Sequence, residues 1–183
     1  MKKYRLDLED TKEYLGVKLF RIIALTSFSN VSVGDKGGYI SKEDNLSQSG
    51  DAWVYGNAKV YGDAWVSGNA KVSGNAKVYG NAWVYGNAWV SGNAWVSGNA
   101  EVSGDARVYD SAEVFWISKI GSDLGTLTIF KTQDGFKLTR GCFIGNFDEF
   151  KQAVSKKDIN DKYRKEYEAL YPLIELKFKL NIS

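Results

Sequence analysis

From residue 52 onward the chain repeats itself every six residues without a slip. The unit Ala-x-Val starts at Ala52-Trp53-Val54, occurs eleven times and ends at Ala112-Glu113-Val114; Tyr or Ser, then Gly, then Asn or Asp join most units. Within a strand successive side chains alternate between faces, so Ala and Val of each unit point one way and the residue between them the other. Gly-Asn and Gly-Asp supply the backbone angles that a corner needs. A six-residue side with a corner at each end predicts a triangular coil of three sides. Coils stack at about 4.8 Å, so the array should rise to roughly four of them. Six matches neither the helical period nor a heptad, and a glycine at every sixth position is fatal to a long helix.

The unit of a small residue, any residue, an aliphatic residue and a short corner resembles the hexapeptide-repeat family over residues 50–114. That resemblance implies a left-handed parallel β-helix; the spacing alone gives no hand. Upstream, Ile40 and Leu46 sit six apart and Val33 lies seven before Ile40, so Gly34 to Ser49 reads as an imperfect first coil. The expected architecture is mainly β: an N-terminal β-hairpin cap (1–33), the left-handed β-helix (34–116) and a small C-terminal α+β module (117–183).

The cap is read from residues 3–8 and 17–26, two strand-like runs joined by a polar turn containing Gly16. It would cover the open edge of the coil, since exposed edges invite polymerisation. Past Val114, Phe115-Trp116-Ile117 breaks the pattern. Thr126–Lys131 and Phe136–Thr139 flank the turn Gln133-Asp134-Gly135 as a hairpin, with a third strand at Gly141–Ile144. Asn146-Phe147-Asp148-Glu149 predicts a capped helix running to about Ser155. A second helix over about Ile159 to Tyr171 has Tyr163, Tyr167 and Leu170 on one face, and Pro172 should interrupt it. Leu173–Leu180 fits helix and strand equally.

The layout also resembles a group of phage and prophage proteins. The resemblance is carried by Gly37-Gly38-Tyr39-Ile40 and Asn45-Leu46-Ser47 before the repeats, and by Gly125-Thr126-Leu127-Thr128, Thr139-Arg140-Gly141-Cys142-Phe143 and Asp148-Glu149-Phe150 after them. It spans nearly the whole chain and transfers no activity residue by residue. By analogy with small oligomeric phage proteins that sequester nucleotide immune signals, it implies a binding rather than a catalytic role.

Composition narrows the chemistry. There is no histidine, which removes both the commonest general base and the commonest metal ligand. The acyltransferases of hexapeptide-repeat build use a histidine base and the carbonic anhydrases of that build bind zinc through histidines; neither set exists in this chain. A single cysteine, Cys142, excludes a disulfide scaffold and Cys-based zinc, and reads as a reduced packing thiol. Asp51, Asp63 and Asp105 fall at corners, where they should bond their own turns. No enzyme, metal or cofactor is expected. A formal net charge of +2 is too small for duplex nucleic acid. Met1-Lys2-Lys3 leads into alternating Tyr4, Leu6 and Leu8 rather than an apolar core, and no run suits a membrane span, so a cytoplasmic protein is expected.

The outward residues carry the functional signal. Steps of three units place Trp53, Lys71, Trp89 and Arg107 on one face, Lys59, Lys77, Trp95 and Glu113 on a second, and Trp65, Trp83 and Glu101 on the third. So much aromatic surface suits self-association, with Trp53, Trp65, Trp83, Trp89 and Trp95 as the interface of a homotrimer. Surface pairing of Trp with Lys, worth about 0.5–1 kcal/mol, is the plainer alternative. Clefts at subunit boundaries would join aromatic plates to cations, the pair that stacks a base and neutralises a phosphate. Arg107, Trp116, Lys137, Arg140 and Gly141 are the expected ligand residues, because they fall where the coil meets the C-terminal module. Arg140 has an ordinary structural alternative, pairing with Asp148 or Glu149. Capture of a small nucleotide-like anion is therefore the first functional expectation. A rigid spacer or virion module that meets a host protein is the second, and an acyltransferase with a non-histidine base a distant third.

Overall fold

The computed structural model describes residues 2–156 and 159–179. The alternation read from the sequence builds ten two-residue rungs, β4 (Trp53–Val54) to β13 (Arg107–Val108). They form three parallel stacks in the expected register: Trp53, Lys71, Trp89 and Arg107; Lys59, Lys77 and Trp95; Trp65, Trp83 and Glu101. Every Ala and Val of these rungs is at most 1% exposed, so a narrow column of methyl groups fills the prism. Corner glycines make the turn: Gly74 has φ +65°, and a Cβ there would stand 3.0 Å from the Gly92 nitrogen on the next coil. The corner thus demands glycine twice, for backbone angle and for clearance.

The rungs stop at Val108 rather than at Val114. The next corner position is Asp110, with φ −137°, so the positive-φ turn is not made. Asp110 instead accepts a hydrogen bond from the Ala112 nitrogen and opens a 3-10 turn, Ser111–Glu113. Ala112 is exposed, and Glu113 leaves the second face to pair with Lys131.

Below the repeats, β3 (Lys36–Ile40) sets Ile40 beside Val60, and Leu46 bridges to Val66, so this segment does supply an incomplete coil. Val33 takes no interior place and is 64% exposed. The hairpin β1 (Tyr4–Tyr14) and β2 (Val17–Ala24) extends the stack of Lys59 and Lys77 antiparallel, in the order β1-β2-β3-β5-β8-β11, with β5 (Lys59–Val60), β8 (Lys77–Val78) and β11 (Trp95–Val96). β1 runs well past residue 8. Asp10 is held by Arg21 and by the Tyr39 hydroxyl, and a register shift between Asp7 and Thr11 lets the charged stretch continue the strand.

Both ends of the coil are closed by side chains that satisfy the unpaired backbone. At the lower end the buried Lys3 ammonium donates to the carbonyls of Ala52 (2.8 Å), Gly50 (3.2 Å) and Ser49 (3.5 Å). Burial outweighs the nearby Asp51 carboxylate and lowers the Lys3 pKa to about 8. The Tyr4 hydroxyl, with one proton to donate, lies 2.7 Å from the Leu46 carbonyl and 2.8 Å from that of Glu43. At the upper end Ser111 Oγ accepts from the Trp95 nitrogen and Thr128 Oγ1 from that of Glu101, both at 3.0 Å.

The C-terminal module is an antiparallel sheet, β14 (Val114–Ile120), β15 (Gly125–Thr132), β16 (Gly135–Arg140) and β17 (Phe143–Gly145), in that order. The break Phe115-Trp116-Ile117 is thus the sheet's first strand. Helix α1 (Phe147–Val154) carries the expected capping box between Asn146 and Glu149. Helix α2 (Asp161–Glu168) is shorter than its apolar pattern suggests, and Pro172 sits in the first turn of α3 (Tyr171–Phe178), which decides the tail as helix up to Phe178. Leu180 lies outside the described residues. Leu127, Ile129, Leu138 and Ile174 form the module's core, all 0% exposed. Cys142 is exposed in the turn before β17 and packs no core. No helix of the described residues is long and apolar enough to cross a membrane.

Candidate functional site

The first outward column, on β4, β7 (Lys71–Val72), β10 (Trp89–Val90) and β13, is closed at its foot and open above. Trp53 is 1% exposed: the Phe28 ring meets it edge-on at 5.4 Å and the Tyr4 ring at 6.1 Å. Its place in an oligomer interface is thereby corrected, because the chain's own segment around Phe28 covers it. Trp89, two rungs higher in the same column, is 41% exposed. Its Nε1 donates to Ser73 Oγ at 3.1 Å and Tyr109 packs edge-on at 6.3 Å, so the indole is held in place with its surface open.

Lys71 lies one rung below Trp89 and Arg107 one rung above, about 10 Å apart at 4.8 Å per rung. One nitrogen of Arg107, Nη1, is anchored on the carbonyls of Ala106 (2.9 Å) and Asn87 (3.1 Å). Among the described residues neither Lys71 nor Arg107 is paired with a carboxylate. Grooves flank the column on both sides. One, of about 390 Å³, runs along the corner of Asn69 and Asn87, with Asp51 at its lower end. The other, of about 300 Å³, is walled by Asn30, Tyr55 and Ser73. Lys71 and Trp89 line both. Tyr55 donates to Asn30 Oδ1 at 2.9 Å, and its burial raises the phenol's pKa, so it stays a neutral donor. A third cleft, of about 290 Å³, lies where the coil meets the module and brings Arg107 and Lys137 together with Asp105 and Asp134. Its two cations face two carboxylates; the 390 Å³ groove has two cations against Asp51 alone.

The expected ligand residues therefore separate. Arg107 and Lys137 share a cleft. Arg140 is removed from it at the other end of β16: its guanidinium is paired with Asp123, donates to the Ile120 carbonyl at 2.7 Å and has a side chain only 10% exposed. A Cβ on Gly125 would stand 2.5 Å from its Nη1, so the backbone is built tightly around it. Its carboxylate partner is Asp123 rather than Asp148 or Glu149; the Glu149 carboxylate caps its own helix. Gly141 is a turn glycine with φ +56° and no neighbour within 4 Å of where a Cβ would stand. Trp116 lies on β14 with its Nε1 against Gly98, covering the top of the coil. Asp63 binds Lys42 (2.6 Å) rather than its own turn.

Trp65, Trp83 and Trp95 stay 39–46% exposed. The first two meet edge-on at 5.7 Å, and Lys77 lies 4.2 Å over the Trp95 ring, the cation–π alternative read from the sequence. Lys71 and the segment of Ser29 and Asn30 are the site residues that the sequence reading did not nominate. Lys71 could have been found as the column neighbour of Trp89; nothing local signals where residues 27–33 lie.

A family model described as the YdcK beta solenoid repeat matches residues 52–68, 70–86, 76–92 and 82–98. This is a β-solenoid repeat protein. The match lies wholly within the rungs. The Escherichia coli (strain K12) protein named "Uncharacterized acetyltransferase YdcK" is 39% identical over 64 residues, covering 30% of this chain and 19% of its own length. The chain thus spans about a fifth of that relative. Among the described residues no group of three or more Asp, Glu or Cys side chains converges in a way that could hold a metal ion.

Proposed function

We propose that the protein is a non-enzymatic binding protein whose open column, Lys71, Trp89 and Arg107, captures a small anion carrying a planar ring, of nucleotide type. The observation that carries this is a held, half-exposed indole between two cations that, among the described residues, form no ion pair, with Asp51 the one carboxylate lining their groove. A base stacked on the indole gains about 1–3 kcal/mol. The free nitrogens of Arg107 suit a phosphate by their fork geometry, and Lys71 adds a second charge from below. Grooves of about 390 and 300 Å³ fit a ligand of this class. In the phage setting that the sequence resemblance suggests, capture alone removes a signal, and no reacting group is needed.

The test is incubation with cyclic di- and trinucleotides, removal of free ligand, release by heat and identification by mass. Intact nucleotide is expected, with affinity lost about 5- to 150-fold in Trp89→Ala, the equivalent of 1–3 kcal/mol. Cleaved nucleotide would revive an enzyme. Acyl-coenzyme A binding would bring the relative's named activity, acetyl transfer, to this chain. A second reading rests on a different face: the bare Trp65–Trp83 pair favours contact with another protein surface, of a second copy in a trimer or of a host partner. Absence of any nucleotide, with Trp65→Ala or Trp83→Ala changing the oligomer, would favour it.

A further inference from the structure

The second outward column gathers like charges. Lys59 and Lys77 stack one rung apart, about 4.8 Å, below Trp95. β1 brings a third cation to the same corner: Lys12 Nζ lies 3.4 Å from Asn57 Oδ1, and Lys59 Nζ donates to the Asn57 carbonyl at 3.1 Å. The Nζ atoms of Lys59 and Lys77 sit 5.3 and 5.5 Å from the Tyr14 ring centroid, and that of Lys12 sits 4.3 Å from Tyr39. Among the described residues none of the three lysines is ion-paired. Glu13, between Lys12 and Tyr14 in sequence, alternates to the other face of β1 and lies opposite Lys18. Burial, and then repulsion from Lys12 and Lys77, push the Lys59 ammonium below the ordinary lysine range. Aromatic faces offset part of this cost, but they carry no net charge and leave the positive potential standing.

We propose that Lys12, Lys59 and Lys77 form a second anion site, which takes a tetrahedral oxyanion group, phosphate or sulfate, of a polyanionic ligand. Ammonium groups are compact point charges with three rotatable donors each. Three of them converging from two elements suit a group with acceptor oxygens on every side better than a planar carboxylate, which a guanidinium fork would match. The site lies on a different side of the triangular coil from Lys71, Trp89 and Arg107, and does not rest on the reading of that column.

The test is thermal unfolding of the full chain at low ionic strength with tripolyphosphate, a heparin-derived disaccharide, or sodium chloride at matched ionic strength. Tripolyphosphate or the sulfated sugar is expected to raise Tm by about 4 °C or more, and chloride to do nothing comparable. Whichever of the two polyanions acts identifies phosphate or sulfate as the group bound. Lys59→Gln should raise the ligand-free Tm by about 1–3 °C, by relieving repulsion, and remove most of the anion-dependent gain. Lys12→Gln, on the exposed hairpin, should weaken the gain without relying on the rungs. Arg107→Ala should keep it, which separates this site from the first. An equal gain with chloride, or an undiminished gain in both glutamine variants, would overturn the proposal.

Discussion

The solenoid and the C-terminal module bury their cores by opposite routes. In the solenoid each Ala and Val is interior because of its place in a six-residue unit, and its hydrogen-bonding neighbour is always the unit three further on. In the module Leu127, Ile129, Leu138 and Ile174 meet only after a four-stranded sheet and a helix have come together. The first core is specified locally and repeated; the second is specified once, by contacts distant in sequence. What a repeat cannot specify is what covers it. Trp53 and Trp89 occupy identical Ala-Trp-Val units in one column, yet one is 1% and the other 41% exposed, because Phe28 and Tyr4 lie over the first. Which rungs of the solenoid stay open is therefore set by the flanking segments.

That contrast can be broken most directly in the module. Ile129→Ala removes a fully buried side chain from the central strand pair and should cost about 2–5 kcal/mol, read by chemical denaturation. The loss should appear as early melting of the module while the rungs persist; a single concerted transition would mean that the two cores are one cooperative unit. Gly74→Ala is expected to cost less, about 1–3 kcal/mol, from strain at φ +65° and the 3.0 Å approach to Gly92. A cost near zero would show that the corner accommodates a Cβ.

Phe28→Ala sharpens the comparison of the two tryptophans. Uncovering Trp53 should make one further indole accessible to acrylamide quenching, with a stability loss of about 1–3 kcal/mol for a partly buried ring. Unchanged quenching would place the cover elsewhere. The smallest expected effect concerns Lys3. Its folded pKa of about 8 lies below the ordinary 10.5, so the unfolded chain binds more protons between these values and stability should rise with pH across that window. Above pH 10 the sign reverses, because Tyr61, buried and with its pKa raised to about 12, favours the neutral phenol in the folded state. Lys3→Met should flatten the rise between pH 8 and 10 in a Tm profile; an unaltered rise would assign it to another group.

The solenoid was legible in the sequence because Ala-x-Val, repeated with glycine corners, leaves few other structures open. Its upper boundary was overrun by one unit, since Ala112-Glu113-Val114 keeps the triplet while Asp110 replaces the corner glycine that the turn requires. The columns of outward residues were legible too: Trp89 and Arg107 share one column as expected, although the sequence assigned Trp89 to an oligomer interface rather than to a ligand. The coverings were not: Phe28 sits in a short irregular segment, with no periodicity to say which face it crosses. Arg140 was misread for a related reason. Its place where the coil meets the module suggested a ligand residue, but Asp123, from the turn between β14 and β15, already pairs with the guanidinium. Proximity in sequence to an expected junction gave no information on which carboxylate would reach it.

The open column is tested most directly by fluorescence of a variant in which Trp65, Trp83 and Trp95 are phenylalanine, so that Trp89 is the most exposed indole left. Titration with the nucleotide recovered from capture should quench that emission saturably, and Arg107→Ala in the same background should weaken the midpoint at least tenfold. Tight nucleotide binding that leaves Trp89 emission unchanged and is indifferent to Arg107 would contradict the account, placing the ligand away from this face.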